Sequence, residues 1–546
     1  MGKPQKRFEP QVEFCPCCHR LLKVEKSRVC RLVTQYTDER VTEVIKYCPV
    51  DGSRFVSEFL RNATPSRSPY SYDLMVHIGR LRYSRHCQIS EVQDEIARDG
   101  PFIPQSSIQR LCFRFLRYFI AVHLESLPLL AKYVRVNGGY VLQIDGSQNH
   151  GRGTLILVKD TISGMRLFTA RFPSESKEDL VPFLRYMKSV FGVPLVVIRD
   201  GGTGIVNALD DVFPDTYQVY CHFHFLRALG HALFDHYRRR FKNAIDKLGV
   251  KGQLSKLYRL VQKQQHRGQK QFVREVLNEL HELLSYVLNY SGEGLGYPFE
   301  LRALRFYERC LEIEKPVHDL VKKCAEEYVY LQSLCDVKKT LCLLHPPPAV
   351  RGKIQMDAER LLDREKWFNE SREALRWRNG PVPLSTKIRW SDEHLKKARK
   401  GIDDFLKKVK SEQENKRNSK PLIRGLQTIE DRFTKYQDNL LVPNIRLDTF
   451  DGEKVIKVER TNNGIEQDFR ACRRHARRLR GEKNVEGVIQ REGVGLLLLL
   501  NMDISQYIQI VYGSWECMGT RFSKVEEWAL ERADMLLRGY NPWWAL

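Results

Sequence analysis

At Gly139 the apolar period of this chain switches from helical to strand-like, and the stretch that follows is compatible with few folds. Residues 140–145 (YVLQID) read as a first strand and 153–159 as a second; the turn DTISG at 160–164 leads into a third over 165–172. Residues 176–191 form an amphipathic helix with Leu180, Phe183, Leu184 and Met187 on one face. The run PLVVIR at 194–199 is almost wholly apolar, the pattern of a buried strand in parallel pairing. A short helix over 204–212, a strand over 216–220 and a helix over 225–241 complete the order βββαβαβα. That order predicts an α/β core built on a mixed sheet.

The rest of the chain is arranged around this core, which spans 135–241. Residues 1–60 carry paired cysteines among β-formers, and RNATPSRSP at 61–69 reads as a linker. Residues 70–133 are helical in pattern, broken at Asp99-Gly100-Pro101, with Ser106 or Ser107 placed to cap the next helix. From 242 to 455 the pattern is that of an all-α insertion, charge-rich and without strands of comparable strength. It is interrupted by Pro346-Pro347-Pro348 and by NGPVP at 379–383, and a lysine-rich stretch at 396–420 reads as a solvated helix. A segment 456–485 with a helix over 465–479 returns to the core, and 486–546 is a helical C-terminal region carrying Trp543 and Trp544.

A chain of 546 residues exceeds one ordinary core, and roughly two to four domains are expected. Lys and Arg number 90 against 67 Asp and Glu, a formal net charge of +23. Such an excess favours a polyanionic partner, nucleic acid first, and leaves little room for a paired-carboxylate glycosidase. The opening residues, MGKPQKRFEPQVEF, hold no apolar segment of the kind that directs secretion. The 14 cysteines are scattered rather than framed as a disulfide scaffold, so a reducing compartment is expected. The longest apolar run, at 494–500, is far short of the ~20 residues of a membrane span, which predicts a soluble chain with no membrane partner.

Asp145 closes the first strand and is followed by Gly146-Ser147; Asp200 closes the fourth and is followed by Gly201-Gly202. Strand ends in one sheet come close in space, so the two carboxylates can share a hard divalent cation, Mg2+ or Mn2+. The glycines leave room for a metal or substrate to approach. A strand-end Asp alone is ordinary turn chemistry; two in this strand order are not. A third acid, Glu466, lies in ERTNNGIEQDFR at 459–470. Asn463 is placed to cap a helix there, with Glu466 at its third position, so a capping box competes with metal ligation for the same carboxylate. Arg470, Arg473, Arg474, Arg477, Arg478 and Arg480 follow, mostly three and four apart, and give one helix a cationic stripe suited to a polyphosphate.

The series IDGS, helix, VVIRDGG, CHFH, helical insertion and ERTNNGIEQDFR followed by arginines resembles the DDE transposases of bacterial insertion sequences, and is similar to the transposases of Mutator-like elements. The likeness is close over 135–240 and 455–485 and loose elsewhere. It implies an RNase H-like core with the first Asp on strand one, the second after strand four, and the Glu on a helix beyond an inserted helical domain. Position by position these are Asp145, Asp200 and Glu466; Glu459 and Asp468 fall outside the Asn-Asn-x-x-Glu spacing. It implies two-metal-ion hydrolysis of phosphodiesters at element ends, then attack of the freed 3′-OH on target DNA. The implied partners are double-stranded DNA, both terminal inverted repeats and target, and a second copy of the chain or more. Cys221 and His224 resemble the C/D(2)H motif of these enzymes; a His beside the metals can position a phosphate or shuttle a proton, and by ligand type zinc is an alternative. The implied location is the bacterial cytoplasm, on the nucleoid, or the nucleus in a eukaryote.

Cys15 and Cys18 form one C-x-x-C knuckle, and Cys48 with Asp51 forms another. The segment looks like a zinc ribbon with Asp51 where a fourth cysteine usually stands. Cys17, His19 or Cys30 can serve in its place, and the metal can be absent. Residues 70–120 resemble a helix-turn-helix: a supporting helix over 89–97, a turn over 98–103 and a recognition helix over 105–116, with Gln109, Arg110 and Arg114 as DNA contacts. A plain helical hairpin gives the same pattern. Two other functions stay open: a catalytically silent, transposase-derived DNA-binding regulator, and another RNase H-like nuclease acting on hybrids or junctions.

Overall fold

The three segments after Gly139 can meet through short turns, and they pair as an antiparallel meander: β1 (Val141–Gln148), β2 (Thr154–Asp160) and β3 (Arg166–Phe172). The structure is a computed structural model that describes residues 6–148, 153–265, 270–377, 389–449, 452–481 and 484–539. Helix α1 (Lys177–Phe191) starts where Ser176 Oγ accepts from the Asp179 backbone N–H, and it carries the chain over to β4 (Val196–Arg199). A crossover of this kind is what a parallel neighbour requires, and β4 lies parallel to β1. Helix α2 (Thr203–Val212) and β5 (Tyr217–Tyr220) complete a five-stranded mixed sheet of order β3-β2-β1-β4-β5. Gln143 is in register with Ile198, so Asp145 and Asp200, each two residues further on, stand at the same end of neighbouring strands.

The protein divides into two compact units, residues 1–219 with 444–546, and residues 220–443. In the first, one continuous apolar core joins the sheet to the helices on both sides of it in sequence. Helix α3 (Asn463–Arg480) contributes Ile465, Phe469, Cys472, Ala476 and Leu479, a buried three-and-four spacing. Helix α4 (Glu486–Leu499) buries the leucine run in the same core, and no single described helix is long and apolar enough to cross a membrane.

The helices before the sheet, Tyr72–Gly79, Ile89–Asp99, Gln105–Glu125 and Leu127–Val136, belong to this core and are not a separate module. Within helix Gln105–Glu125, His123 is fully buried; Nδ1 lies 2.9 Å from Tyr507 Oη, and Nε2 lies 2.9 Å from the Leu167 carbonyl of β3. That helix runs past the expected stop at Leu116, because its apolar face continues through Phe119 to Leu124. Pro104, not Ser106 or Ser107, occupies its N-cap. Part of the expected linker is also helical, within Glu58–Ala63. At the N-terminus, strands Lys23–Val33 and Asp38–Tyr47 pair antiparallel and are joined by the short strands Arg7–Phe8 and Arg54–Phe55.

The second unit is helical with its own apolar core, and runs from His222–Lys247 to Lys420–Leu440. It begins at Tyr220 rather than 242. It ends before a hairpin of Ile445–Thr449 with Gly452–Ile456, which groups with the sheet unit. Sequence patterning missed these strands because IRLDT and GEKVI are short and charged. The lysine-rich stretch is divided: helix Asp392–Glu414 buries Leu395, Ala398, Ile402, Phe405 and Val409, and Ser419 caps the next helix. The NGPVP segment and the tryptophans Trp543 and Trp544 lie outside the described residues.

Candidate functional site

Asp145 does not end its strand. β1 continues to Gln148, with Asp145 in register opposite Leu157 of β2, and the side chain is 6 % exposed. Its Oδ1 accepts the Gly146 N–H at 2.9 Å. Burial, and next the charge of Asp200, push the Asp145 carboxyl well above the usual carboxylate range, with Glu466 and Glu175 adding to the effect. Asp200 follows β4, half-buried, with Oδ1 accepting the Gly202 N–H at 3.0 Å. Arg199 beside it is buried; its Nε donates to Gln218 Oε1 at 2.7 Å and its Nη1 to the Asp200 carbonyl at 2.9 Å, which fixes the turn.

The helix that carries Glu466 is fastened to the sheet by its first turns. Asn462 Nδ2 donates to the Ile144 carbonyl at 3.0 Å, and Gln143 Nε2 donates to the Thr461 carbonyl at 3.1 Å. Behind them Asp468, 6 % exposed, accepts from Lys159 Nζ at 2.8 Å and pairs with the Arg166 guanidinium. Thus α3 starts one residue away from Asp145 in the neighbouring strand, and Glu466 lies among the acids that raise the Asp145 carboxyl. The expected capping box is absent: Asn462 is the N-cap, it makes no side-chain cap bond, and Asn463 is already helical. Asn462 spends its amide on β1 instead, so Glu466 sits one position deeper than the spacing predicts. Arg470 Nη2 lies 3.6 Å from Glu466 Oε2.

Glu175 is the acid that sequence reasoning missed. Ser174 donates to Asp179 Oδ2 through N–H at 3.1 Å and hydroxyl at 2.7 Å, holding the turn between β3 and α1. Two glycines make way for it: a methyl group on Gly146 would fall 2.2 Å from Glu175 Oε1, and one on Gly204 would fall 1.7 Å from the Glu175 carbonyl. Burial and the charge of Asp200 raise its carboxyl too. Gly146 therefore admits a fourth carboxylate, where sequence reasoning had a substrate or metal approaching. No motif marks Glu175; the only sign is an acid just before a helix cap. The oxygens of Asp145, Asp200 and Glu466 do not all lie within 4.8 Å of one another, so the acids form an open cluster. Mutually repelling carboxylates suit a divalent cation, which would relieve the repulsion.

The expected single stripe of arginines is divided among several places. Arg470 pairs with Glu466, and Arg473 Nη2 donates to Ser147 Oγ at 2.5 Å. Arg474 and Arg478 line a cleft of about 450 Å3. Arg480 lines another of about 600 Å3, across from Gln109, Arg110 and Arg114. Arg477 is exposed. Cys221 and His224 belong to the helical unit, Cys221 buried at the N-cap of helix His222–Lys247 and His224 in its first turn. The neighbouring His222, not singled out by the motif, is fully buried with Nε2 2.9 Å from the Leu440 carbonyl.

At the N-terminus the ligand atoms of Cys15, Cys18 and Cys48 lie within 4.8 Å of one another and can hold a metal such as zinc. Cys18 Sγ is 3.3 Å from Cys48 Sγ. Asp51 groups instead with Cys15 and Cys17, its Oδ2 3.6 Å from Cys15 Sγ. Hydrogen bonds from Ser53 hold the Asp51 carboxyl down at about 2, and the Cys18 and Cys17 backbone N–H groups lower the Cys15 thiol. Cys30 is within hydrogen-bonding reach of Glu43 in the middle of its strand, and neither it nor His19 belongs to either group. No family model matches this chain, and no curated protein matches it.

Proposed function

We propose that the protein is a metal-dependent DNA transposase, with an RNase H-like core whose Asp145, Asp200 and Glu466 hold divalent cations. The observation that carries this reading is the attachment of α3 to β1 through Asn462, which brings an acid from beyond a helical unit to the sheet end that already bears two. The strand order β3-β2-β1-β4-β5, with its antiparallel meander and parallel β1–β4 pair, agrees with the fold implied by the sequence resemblance. Bound Mg2+ or Mn2+ would stabilise the charge that develops on phosphoryl oxygens during in-line displacement. The protein's own part is to hold that charge centre in place. Asp145 grips from a paired strand, Asp200 from a turn fixed by Arg199, and Glu466 from a fastened helix. Arg473 and the exposed arginines beyond it bind the phosphodiester backbone. The Cys15, Cys18 and Cys48 group, with Zn2+, and the helices around Gln109, Arg110 and Arg114 serve DNA recognition in a homodimer or larger assembly. In this reading water attack breaks a phosphodiester at the element end and frees a 3′-OH, and that 3′-OH attacks a target phosphodiester and displaces the target strand's 3′-oxygen.

Purified protein incubated with Mg2+ or Mn2+ and DNA carrying the element ends should release strands with 3′-OH termini and join them to a target. Asp145→Ala should do neither. Uncut DNA with both proteins removes the enzymatic reading. The Arg470–Glu466 ion pair is the observation that favours a silent DNA-binding regulator, and tight end binding without cleavage by the wild type would support it.

A further inference from the structure

Outside the acidic cluster, one ring nitrogen on each of two histidines is left without a hydrogen bond inside a cationic cleft. After helix Tyr72–Gly79 the chain passes through a π-helical turn, Arg80–Ser84, and reaches His86 in left-handed backbone, φ 60°. Such irregular backbone is often associated with functional positions. The His86 ring meets the edge of His475 from α3 at 4.3 Å between centroids, and Tyr83 stacks on the other side of His475 at 5.9 Å. His86 Nδ1 and His475 Nε2 are buried and make no hydrogen bond. Both residues line the cleft of about 450 Å3, together with Ser84, Arg474, Arg478 and Asp503, over an apolar back of Leu496 and Leu499.

A buried imidazole nitrogen without a partner is costly, and a neutral ring offers an acceptor at one nitrogen and a donor only at the other. Two bare imidazoles can also ligate a transition metal. Here the surrounding charge works against a cation. Burial lowers the affinity of both rings for protons; Arg478 acts on both, Arg82 and the neighbouring His86 act on His475, and Asp503 is the single acid opposing them at His86. An incoming anion favours a donor at each bare nitrogen: His86 can take a proton from solvent, while His475, held down at about 3 by burial and its cationic neighbours, can move its own ring proton to Nε2.

We propose that this cleft is a seat for one phosphoryl oxyanion, held by the guanidinium groups of Arg474 and Arg478 and by N–H donors from His86 and His475. The source is a DNA backbone phosphate, and in that respect the proposal rests on the nucleic-acid reading above. The chemistry is otherwise the cleft's own.

Calorimetric titration of the full-length protein with a blunt 30-base-pair duplex, in two buffers of different ionisation heat at pH 7, counts protons taken up on binding. Wild type should take up about one proton, at His86, and His86→Gln/His475→Gln should take up fewer by that number. Arg474→Gln/Arg478→Gln, an exposed pair, should weaken duplex binding about ten-fold or more and reduce the dependence of log K on log salt by roughly 1–2. Duplex binding with the same proton count and salt slope in all variants overturns the seat while leaving the DNA reading intact. No duplex binding, but proton-linked binding of inorganic phosphate, overturns the DNA source and assigns the seat to free phosphate. Zn2+ binding that is lost in the histidine variant, without proton-linked anion binding, overturns the proposal in favour of a metal site.

Discussion

Asp468 lies two residues beyond Glu466, is itself an acid, and should behave in the opposite way when removed. Its carboxylate is 6 % exposed and faces two cations from the sheet, Lys159 at 2.8 Å and Arg166, which are 8 % and 13 % exposed. Asp468→Asn keeps the shape but removes the carboxylate that pairs with both buried cations. Breaking a buried pair from one side costs about 3–5 kcal/mol. For a unit of this size that is a fall of about 5–10 °C in melting temperature. Because these bonds hold α3 against the sheet, Glu466 should also lose its place, and a displacement of about 1 Å at a catalytic group costs on the order of 100-fold in rate. Scanning calorimetry and a cleavage assay on the same preparation read both effects. A variant that melts within about 2 °C of wild type would refute the fastening role. If it also lost metal binding, Asp468 rather than Glu466 would be the ligand.

Further outcomes follow from other buried groups. Burial lowers the His123 imidazole to about 4. The unfolded chain, with a value near 6.5, binds the proton first, so the stability His123 supplies is present above about 6.5 and is lost as pH falls toward 4, roughly 3 kcal/mol in full. Urea unfolding at pH 7 and pH 5 should show the loss, and His123→Gln should flatten it; equal slopes in both proteins contradict the assignment. At the N-terminus, elemental analysis of protein purified under reducing conditions should find about one zinc per chain, absent in Cys48→Ser. Metal-free wild type would leave the three thiols as a plain apolar contact.

The parts that could be read from sequence are those where one period dominates. The meander and the β-α-β crossover follow from alternation and from an uninterrupted apolar run, and the alternation singled out Asp145 and Asp200 although the first strand in fact runs on to Gln148. What could not be read depended on partners distant in the chain. Asn462 and Asn463 are equivalent as helix caps until one of them meets the Ile144 carbonyl. Glu175 gains meaning only because Gly146 and Gly204, 29 residues to either side of it, leave space. The arginine stripe is regular along α3, yet where each guanidinium goes is set by Ser147, by Glu466 and by the helices before the sheet. Helix Gln105–Glu125 carried a recognition-helix pattern in its first half, while its second half, buried to His123 and Leu124, binds it into the core.

The central claim is that acids at 145, 200 and 466 act as one cation site, and Mn2+ binding tests it without requiring knowledge of any DNA sequence. In a paramagnetic-resonance titration, wild-type protein should quench the free Mn2+ signal with a saturable site that Asp145→Asn, Asp200→Asn and Glu466→Gln each remove while melting at the wild-type temperature or above it. Binding that persists unchanged in all three variants would contradict the claim.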